Sequence, residues 1–173
     1  HLAMLHKIPS DSLPDRNHWF RKTYLQKAVG LVQKHFPKRA PRFVRALNSL
    51  RDFRYDQLHQ SIIHGDTLPG NMLFEGNRLV AILDWEEVGK APSILDFSLV
   101  ILNLFFENNT LRPELYSSLM EGYQQVRPFT KLEKDQLQLA VCYAGLTWSL
   151  WMLLRSEFYY PDQKNMKSPE RYW

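Results

Sequence analysis

The stretch SIIHGDTLPGNMLFEGNRLVAILDWEE, Ser61 to Glu87, gathers His64, Asp66, Asn71 and Asp84 around two short apolar runs. Asp66 follows the apolar pair Ile62-Ile63, and Asn71 comes five residues later, across Pro69-Gly70. A Pro-Gly turn folds the chain back, so both side chains can point into one pocket. Asp84 closes the apolar run LVAIL, and a residue at the end of a strand has its side chain available as a ligand. Two carboxylates and one amide oxygen suit Mg²⁺, a hard cation that takes few protein oxygens and fills its other positions with phosphate and water. Phosphoryl transfer needs that cation, together with a carboxylate that orients the acceptor hydroxyl and receives its proton. An Asp with an ordinary pKa of roughly 4 is ionised at neutral pH and can take that proton. On this reading Asp66 is the base, and Asn71 and Asp84 hold the metal.

Each of these residues alone has a plainer use. His64 could hydrogen-bond backbone in the turn, Asp66 and Asn71 could be turn formers, and Asp84 could cap a loop. The ordered set carries the chemical reading: His-Gly-Asp, four residues, Asn, then an Asp ending a strand. A metallophosphoesterase could also draw on such residues, but the cluster has one His where those sites use several.

A small sheet carried by helices must position these groups. SIIH is a β-prone run. NMLFEGNRLVAILDW predicts two strands joined by Glu75-Gly76-Asn77-Arg78, a hairpin by its Gly-Asn centre. VGKAPS, Val88 to Ser93, is expected to be loop. Around them, apolar residues recurring every three or four positions predict helices. The first is HLAMLHKI, with Leu2, Leu5 and Ile8 on one side. Others span Arg16 to about His35, Arg42 to Gln57, Leu95 to Phe106, Arg112 to Val126, and Lys131 to about Phe158. Thr130 and Glu133 form a capping box for the last. Pro9 to Asp15 reads as loop, with Asp15 a helix cap, and the tail from Tyr159 to Trp173 as a surface wrap. The fold class is α+β, mostly helical, in one domain over residues 1–173.

A chain of 173 residues is the size of one domain, and such a domain buries roughly 70% of its unfolded surface. An apolar fraction of 45% excludes disorder as a description of the whole. Cys142 is the sole cysteine, so no intrachain disulfide or thiolate metal site can form, and a reducing, cytoplasmic setting is expected. The formal charge is +4, with Lys34, Lys38, Arg39, Arg42 and Arg45 gathered early. Only Phe36 and Phe43 accompany them, which fits a solvated helix face and no nucleic-acid partner. No uninterrupted apolar run reaches the roughly 18 residues of a membrane span. Phe97 to Phe106 is the longest and fits a buried helix, so no membrane partner is expected. The chain begins at His1 with helical spacing already running, and is read as a piece of something longer, trimmed on its N-terminal side.

HGDTLPGN followed by AILDWE resembles the superfamily of aminoglycoside phosphotransferases, choline kinases and homoserine kinases, which share a protein-kinase-like fold. The resemblance implies ATP and Mg²⁺ as cofactors, Asp66 as catalytic base, Asn71 and Asp84 as metal ligands, and His64 as support for the loop. Asp96, in SILDFS, matches the Asp that helps hold the catalytic loop in that family, and a helix N-cap is its other reading. Glu86 and Glu87 follow the metal Asp and are either solvated or substrate-facing. Thr67-Leu68 stand where the family often has Leu-His. Nothing in the chain resembles the family's N-terminal, nucleotide-covering lobe. The likeness therefore implies a C-terminal catalytic lobe, which alone is expected to be inactive and to bind ATP weakly.

For the acceptor, a small hydroxylated metabolite, LMEGYQQVRPFTKLEKDQL and KSPERYW resemble the corresponding stretches of bacterial homoserine kinases. Gly122-Tyr123 and Arg127-Pro128 also serve simply to end one helix and cap the next. Choline or ethanolamine and aminoglycosides are alternative acceptors, and a non-catalytic interaction domain is the alternative of another class. Tyr143, Trp148, Trp151, Phe158, Tyr159 and Tyr160 could form an aromatic cage for a quaternary ammonium, but the leucines among them favour core packing. An aminoglycoside would call for several acids, and Glu86, Glu87, Glu107 and Glu157 are those on offer.

Overall fold

A helix apolar around its whole circumference belongs in a core, and the run SILDFSLVI supplies one. In the structure, a computed structural model that describes residues 1–13, 19–107 and 110–159, this run opens a helix over Ser93–Leu104, and its first nine residues are buried. That helix packs against the long helix Lys131–Leu154, buried all round from Tyr143 to Leu150. In chain order the helices are α1 (Leu2–Leu5), α2 (Lys22–His35), α3 (Ala40–Ser49), α4 (Ser93–Leu104), α5 (Pro113–Val126) and α6 (Lys131–Leu154). The strands make three antiparallel pairs. β1 (Gln60–Ile63) pairs with β4 (Gly89–Pro92), β2 (Met72–Glu75) with β3 (Arg78–Ile82), and β5 (Phe106–Glu107) with β6 (Thr110–Leu111).

Most of the expected elements form. The Gly-Asn hairpin is present, with Gly76 at φ +60°, the left-handed conformation its tight turn requires. The capping box at the head of α6 is complete. Thr130 Oγ1 accepts from the Glu133 N–H, and the Glu133 carboxylate accepts from the Thr130 N–H.

Several expectations are corrected. VGKAPS contains a strand: Gly89–Pro92 is β4, paired with β1 and largely buried. Its Gly, Lys and Pro disguise it, because pairing with a buried neighbour outweighs intrinsic propensity. Helix α2 starts at Lys22, and Trp19 and Phe20 lie before it in a turn, buried and stacked at 4.2 Å between centroids. Helix α3 stops at Ser49, and the backbone then turns so that Phe53, Tyr55 and Leu58 reach the core on the way into β1. Pro41 sits in the first turn of α3, where its missing N–H costs nothing. The helical run Lys131–Phe158 is, by length and composition, able to cross a membrane, although uninterrupted apolar runs did not reveal it. Of its most apolar window, 67% is buried inside the protein, as suits a core helix. Asp15, Tyr160 and the tail beyond it lie outside the described residues.

Candidate active site

Two strand pairings bring the expected oxygen ligands together. In the β1–β4 ribbon, Ile63 stands opposite Gly89, so the loop leaving β1 and the loop entering β4 begin side by side. In the β2–β3 hairpin, Met72 stands opposite Ile82. One step further out, the Leu83 N–H donates to the Asn71 carbonyl at 2.8 Å. Asn71 and Asp84 are thereby placed as near neighbours, although they are far apart in sequence. Asp84 has φ 64° and ψ 66°, and it is the one non-glycine with positive φ among the described residues. A left-handed Asp at the end of a strand is an uncommon conformation that tends to mark functional sites.

The loop carrying Asp66 is held from below. Asp96 is fully buried near the start of α4 and accepts from two backbone donors, the His64 N–H at 2.7 Å and the Gly65 N–H at 2.9 Å. Gly65, at φ 84°, makes the reversal that lets both N–H groups face one carboxylate. Asp96 is not the cap of its helix, since Pro92 occupies that position. Thr67 Oγ1 adds a bond to the Asp96 carbonyl at 3.2 Å.

Behind Asp96 runs a buried polar chain. His6 Nε2 donates to Asp96 Oδ2 at 3.2 Å, and His6 Nδ1 pairs with the Tyr123 hydroxyl at 2.7 Å. Arg127 donates to that hydroxyl at 3.2 Å and to Glu133 at 2.7 Å. Burial alone would push the Asp96 carboxyl up. The hydrogen bond and charge of His6, with the two backbone donors, outweigh it and hold the carboxyl below its usual value. Glu133 behaves the same way, its burial offset by the Thr130 N–H and by Arg127. Burial pushes the Tyr123 hydroxyl up to about 12, so it keeps its proton. In the sequence Tyr123 and Arg127 belong to the stretch that resembles homoserine kinases and otherwise end one helix and cap the next, and nothing there marks His6. Tertiary packing alone brings α1 against α5 and α4.

His64 is also buried and joins the two loops. Its Nδ1 accepts from the Asp66 N–H at 3.2 Å, which leaves the proton on Nε2, donated to the Leu83 carbonyl at 2.9 Å. The Trp85 ring packs edge-on against it at 4.6 Å.

Asp66 faces outward from this base. Asn71 Nδ2 donates to Asp66 Oδ2 at 2.8 Å and to the Asp66 carbonyl at 2.9 Å. Both amide donors are thus committed, and the Asn71 oxygen remains as the group to bind a cation. Asp66 Oδ1 is buried with no hydrogen-bond partner in the structure. An orphaned buried carboxylate oxygen calls for a ligand. Burial raises the Asp66 carboxyl above its ordinary value, against the Asn71 bond and the His64 contribution, and the Asp84 and Asp96 charges add to the rise.

Asp66 and Asp84 line one cavity of about 400 Å³ with Glu86, Glu87, Trp19, Tyr24, Trp148, Trp151, Leu154 and Arg155. That volume lies within the roughly 300–1,000 Å³ of small-molecule sites. Glu87 is raised by its burial and then by the Glu86, Asp66 and Asp84 charges, the mark of an electronegative pocket. Asn71 is tied to this cavity through Asp66, whereas His64 and Asp96 lie beneath it. Trp148 and Trp151 stack at 5.1 Å, with Trp19 tilted against both. These rings line the cavity rather than serving packing alone. Tyr143 is a core residue against Phe53 and Tyr55, and Phe158 packs on His35 and Phe36.

The donor set fits Mg²⁺. Among the described residues no three or more His, Cys, Asp or Glu side chains are grouped to hold a metal by themselves. A few hard oxygens open to phosphate and water are what Mg²⁺ uses. The model of the phosphotransferase enzyme family, APH, matches residues 1–132. The chain belongs to this family. Solved structures share the fold. A choline/ethanolamine kinase family protein from Mesorhizobium loti is 20% identical with a TM-score of 0.67, covering 99% of this chain and 62% of that one. Macrolide 2'-phosphotransferase type I is 19% identical at 0.62, covering 96% and 56%. The aminoglycoside phosphotransferase APH(3'')-Id from Streptomyces rimosus, solved with ADP and streptomycin, is 16% identical at 0.54, covering 85% and 59%. The chain thus spans less than two thirds of each of these proteins. The fold is that of kinase-like phosphotransferases, α+β with small antiparallel ribbons.

Proposed function

We propose that the protein is an ATP-dependent kinase of a small hydroxylated metabolite, with homoserine as the acceptor. The observation that carries this is Asp66. Its carboxylate lines a cavity holding three further carboxylates, with one oxygen fixed by Asn71 and the other buried and without a hydrogen-bond partner. In this reading the Asp66 carboxylate accepts the proton of the acceptor hydroxyl as that oxygen bonds to the γ-phosphorus of ATP and the bond from that phosphorus to the bridging oxygen breaks, ADP leaving. The raised carboxyl makes it a better base than an exposed Asp. Asn71 and Asp84 are the ligands for Mg²⁺, which when bound neutralises charge on the phosphoryl oxygens. Glu86 and Glu87 receive the ammonium group of the acceptor. His64 keeps the Asp66 loop and the Leu83 carbonyl in fixed relation. A cytoplasmic setting, with no nucleic-acid or membrane partner, accompanies the reading.

The aromatic wall supports a second acceptor, since a quaternary ammonium such as choline is held well against indole faces. A coupled ATPase assay on the full protein, with homoserine, choline, ethanolamine and an aminoglycoside offered in turn, decides between them. Homoserine is expected to give the highest kcat/KM. A greater rate with choline transfers the assignment to the second reading. Turnover that survives Asp66→Ala undamaged removes the base. The 173-residue chain by itself is expected to bind Mg-ATP weakly in calorimetry, and tight binding would place the nucleotide site elsewhere.

A further inference from the structure

Resting on the kinase reading, the cavity contains one feature that reading does not use. Its acidic residues come from the loop after β1 and the turn after β3, whereas Trp148, Trp151, Leu154 and Arg155 come from the C-terminal end of α6. Positions 148, 151 and 155 recur at the three-and-four spacing of a single helix face. The face that turns the indoles into the cavity therefore turns Arg155 there as well. Arg155 is also the residue at which α6 gives way to a π-helical turn, Arg155–Tyr159. Such turns are rare and frequently lie at functional sites, where they re-aim side chains.

The Arg155 guanidinium carbon lies 4.8 Å from the centre of the Trp151 ring. A ring contact orders a guanidinium through its face, and the planar fork of N–H donors is its means of binding an oxyanion. A carboxylate matches that fork through two parallel hydrogen bonds. The same cavity is lined by Asp66, Asp84, Glu86 and Glu87, whose charges favour a cationic group.

We infer that Arg155 is a specificity-determining residue that binds a carboxylate of the acceptor, so that the cavity selects a zwitterionic hydroxy-amino acid over a simple amino alcohol. A pocket with carboxylates alone would favour choline or ethanolamine. The guanidinium gives an advantage to molecules bearing both charges, with the hydroxyl end directed at Asp66.

The test compares homoserine with aminopropanol, the same molecule without its carboxylate, on the full protein and its Arg155→Gln and Arg155→Lys variants. The wild type is expected to prefer homoserine by roughly 10- to 100-fold in kcat/KM, the range that a hydrogen bond to a charged group provides. Arg155→Gln is expected to erase most of that preference, chiefly through KM, and Arg155→Lys to restore part of it. Calorimetric titration with homoserine alone should show the same ranking without turnover. If Arg155→Gln lowers both substrates equally, the residue serves only the end of α6 and the inference is overturned. A wild type that prefers aminopropanol or choline, with turnover still dependent on Asp66, overturns it while the kinase reading stands. Absence of any Asp66-dependent turnover sinks that reading instead, and loss of homoserine affinity in Arg155→Gln calorimetry still upholds the carboxylate contact.

Discussion

The two loops that meet at this site are held by opposite means. The Asp66 loop rests on a floor of buried polar groups, in which His6, His64 and Asp96 are 0% exposed and Glu133 is 1%. The hairpin that delivers Asn71 and Asp84 stands out in solvent, with Leu73 at 50% and Phe74 at 54% exposure. On the floor, each group is fixed by a partner that would be left buried and unsatisfied if the other were removed. On the hairpin, backbone register and one left-handed residue do most of the placing, and the Asn71 amide and the His64 ring tie its base to the Asp66 loop. The proposed base is therefore coupled to the stability of the fold, and the solvent-facing strands that carry the proposed metal ligands are nearly independent of it.

Asp66→Asn tests this division most sharply. It removes the proton acceptor while keeping an oxygen for the Asn71 donor, so the rate should fall by about 100- to 10,000-fold. Because the Asp66 carboxyl is raised, the folded state favours its protonated form. Its contribution to stability is full below the unfolded pKa and is lost as pH rises, so at neutral pH the charge is a burden. Asp66→Asn should accordingly melt at the same temperature as the wild type or higher. A lower melting temperature would mean that the charge itself supports the loop.

Asp96→Ala should cost about 3–5 kcal/mol, as when one member of a buried charged pair is deleted, measured by denaturant unfolding. The depressed carboxyls of Asp96 and Glu133 add a pH signature. Their contribution is present above the unfolded values of 3.8 and 4.5 and is lost as pH falls through the folded ones, so acid should destabilise the protein progressively below about pH 4.5. A wild-type stability flat from neutral pH to about pH 3 would contradict the floor as drawn.

The smallest effect belongs to the hairpin. Leu73→Ser or Phe74→Ser should change the stability of this chain by no more than about 0.5 kcal/mol, as exposed positions do. A loss of several kcal/mol would show that the hairpin belongs to the core after all.

Much of this site was legible in the residues. The His-Gly-Asp turn, the Asn after Pro-Gly, the Asp ending a strand and the Gly-Asn hairpin are local signals, each set by a few adjacent residues and by backbone geometry. The capping box at Thr130 was legible for the same reason, as both of its partners lie within one helical turn. The strand Gly89–Pro92 was not, because its composition argues for a loop and only pairing with β1 makes it a strand. His6 gave no signal, and Tyr123 and Arg127 stood out only as part of a family-like stretch, because their link to Asp96 exists only once packing places them in line behind it. The cavity wall joins Trp19, Trp148 and Arg155 to acids from the middle of the chain. Local chemistry follows from neighbours along the chain, whereas a binding cavity follows from neighbours in space, and those are fixed only once the apolar helices have found their partners.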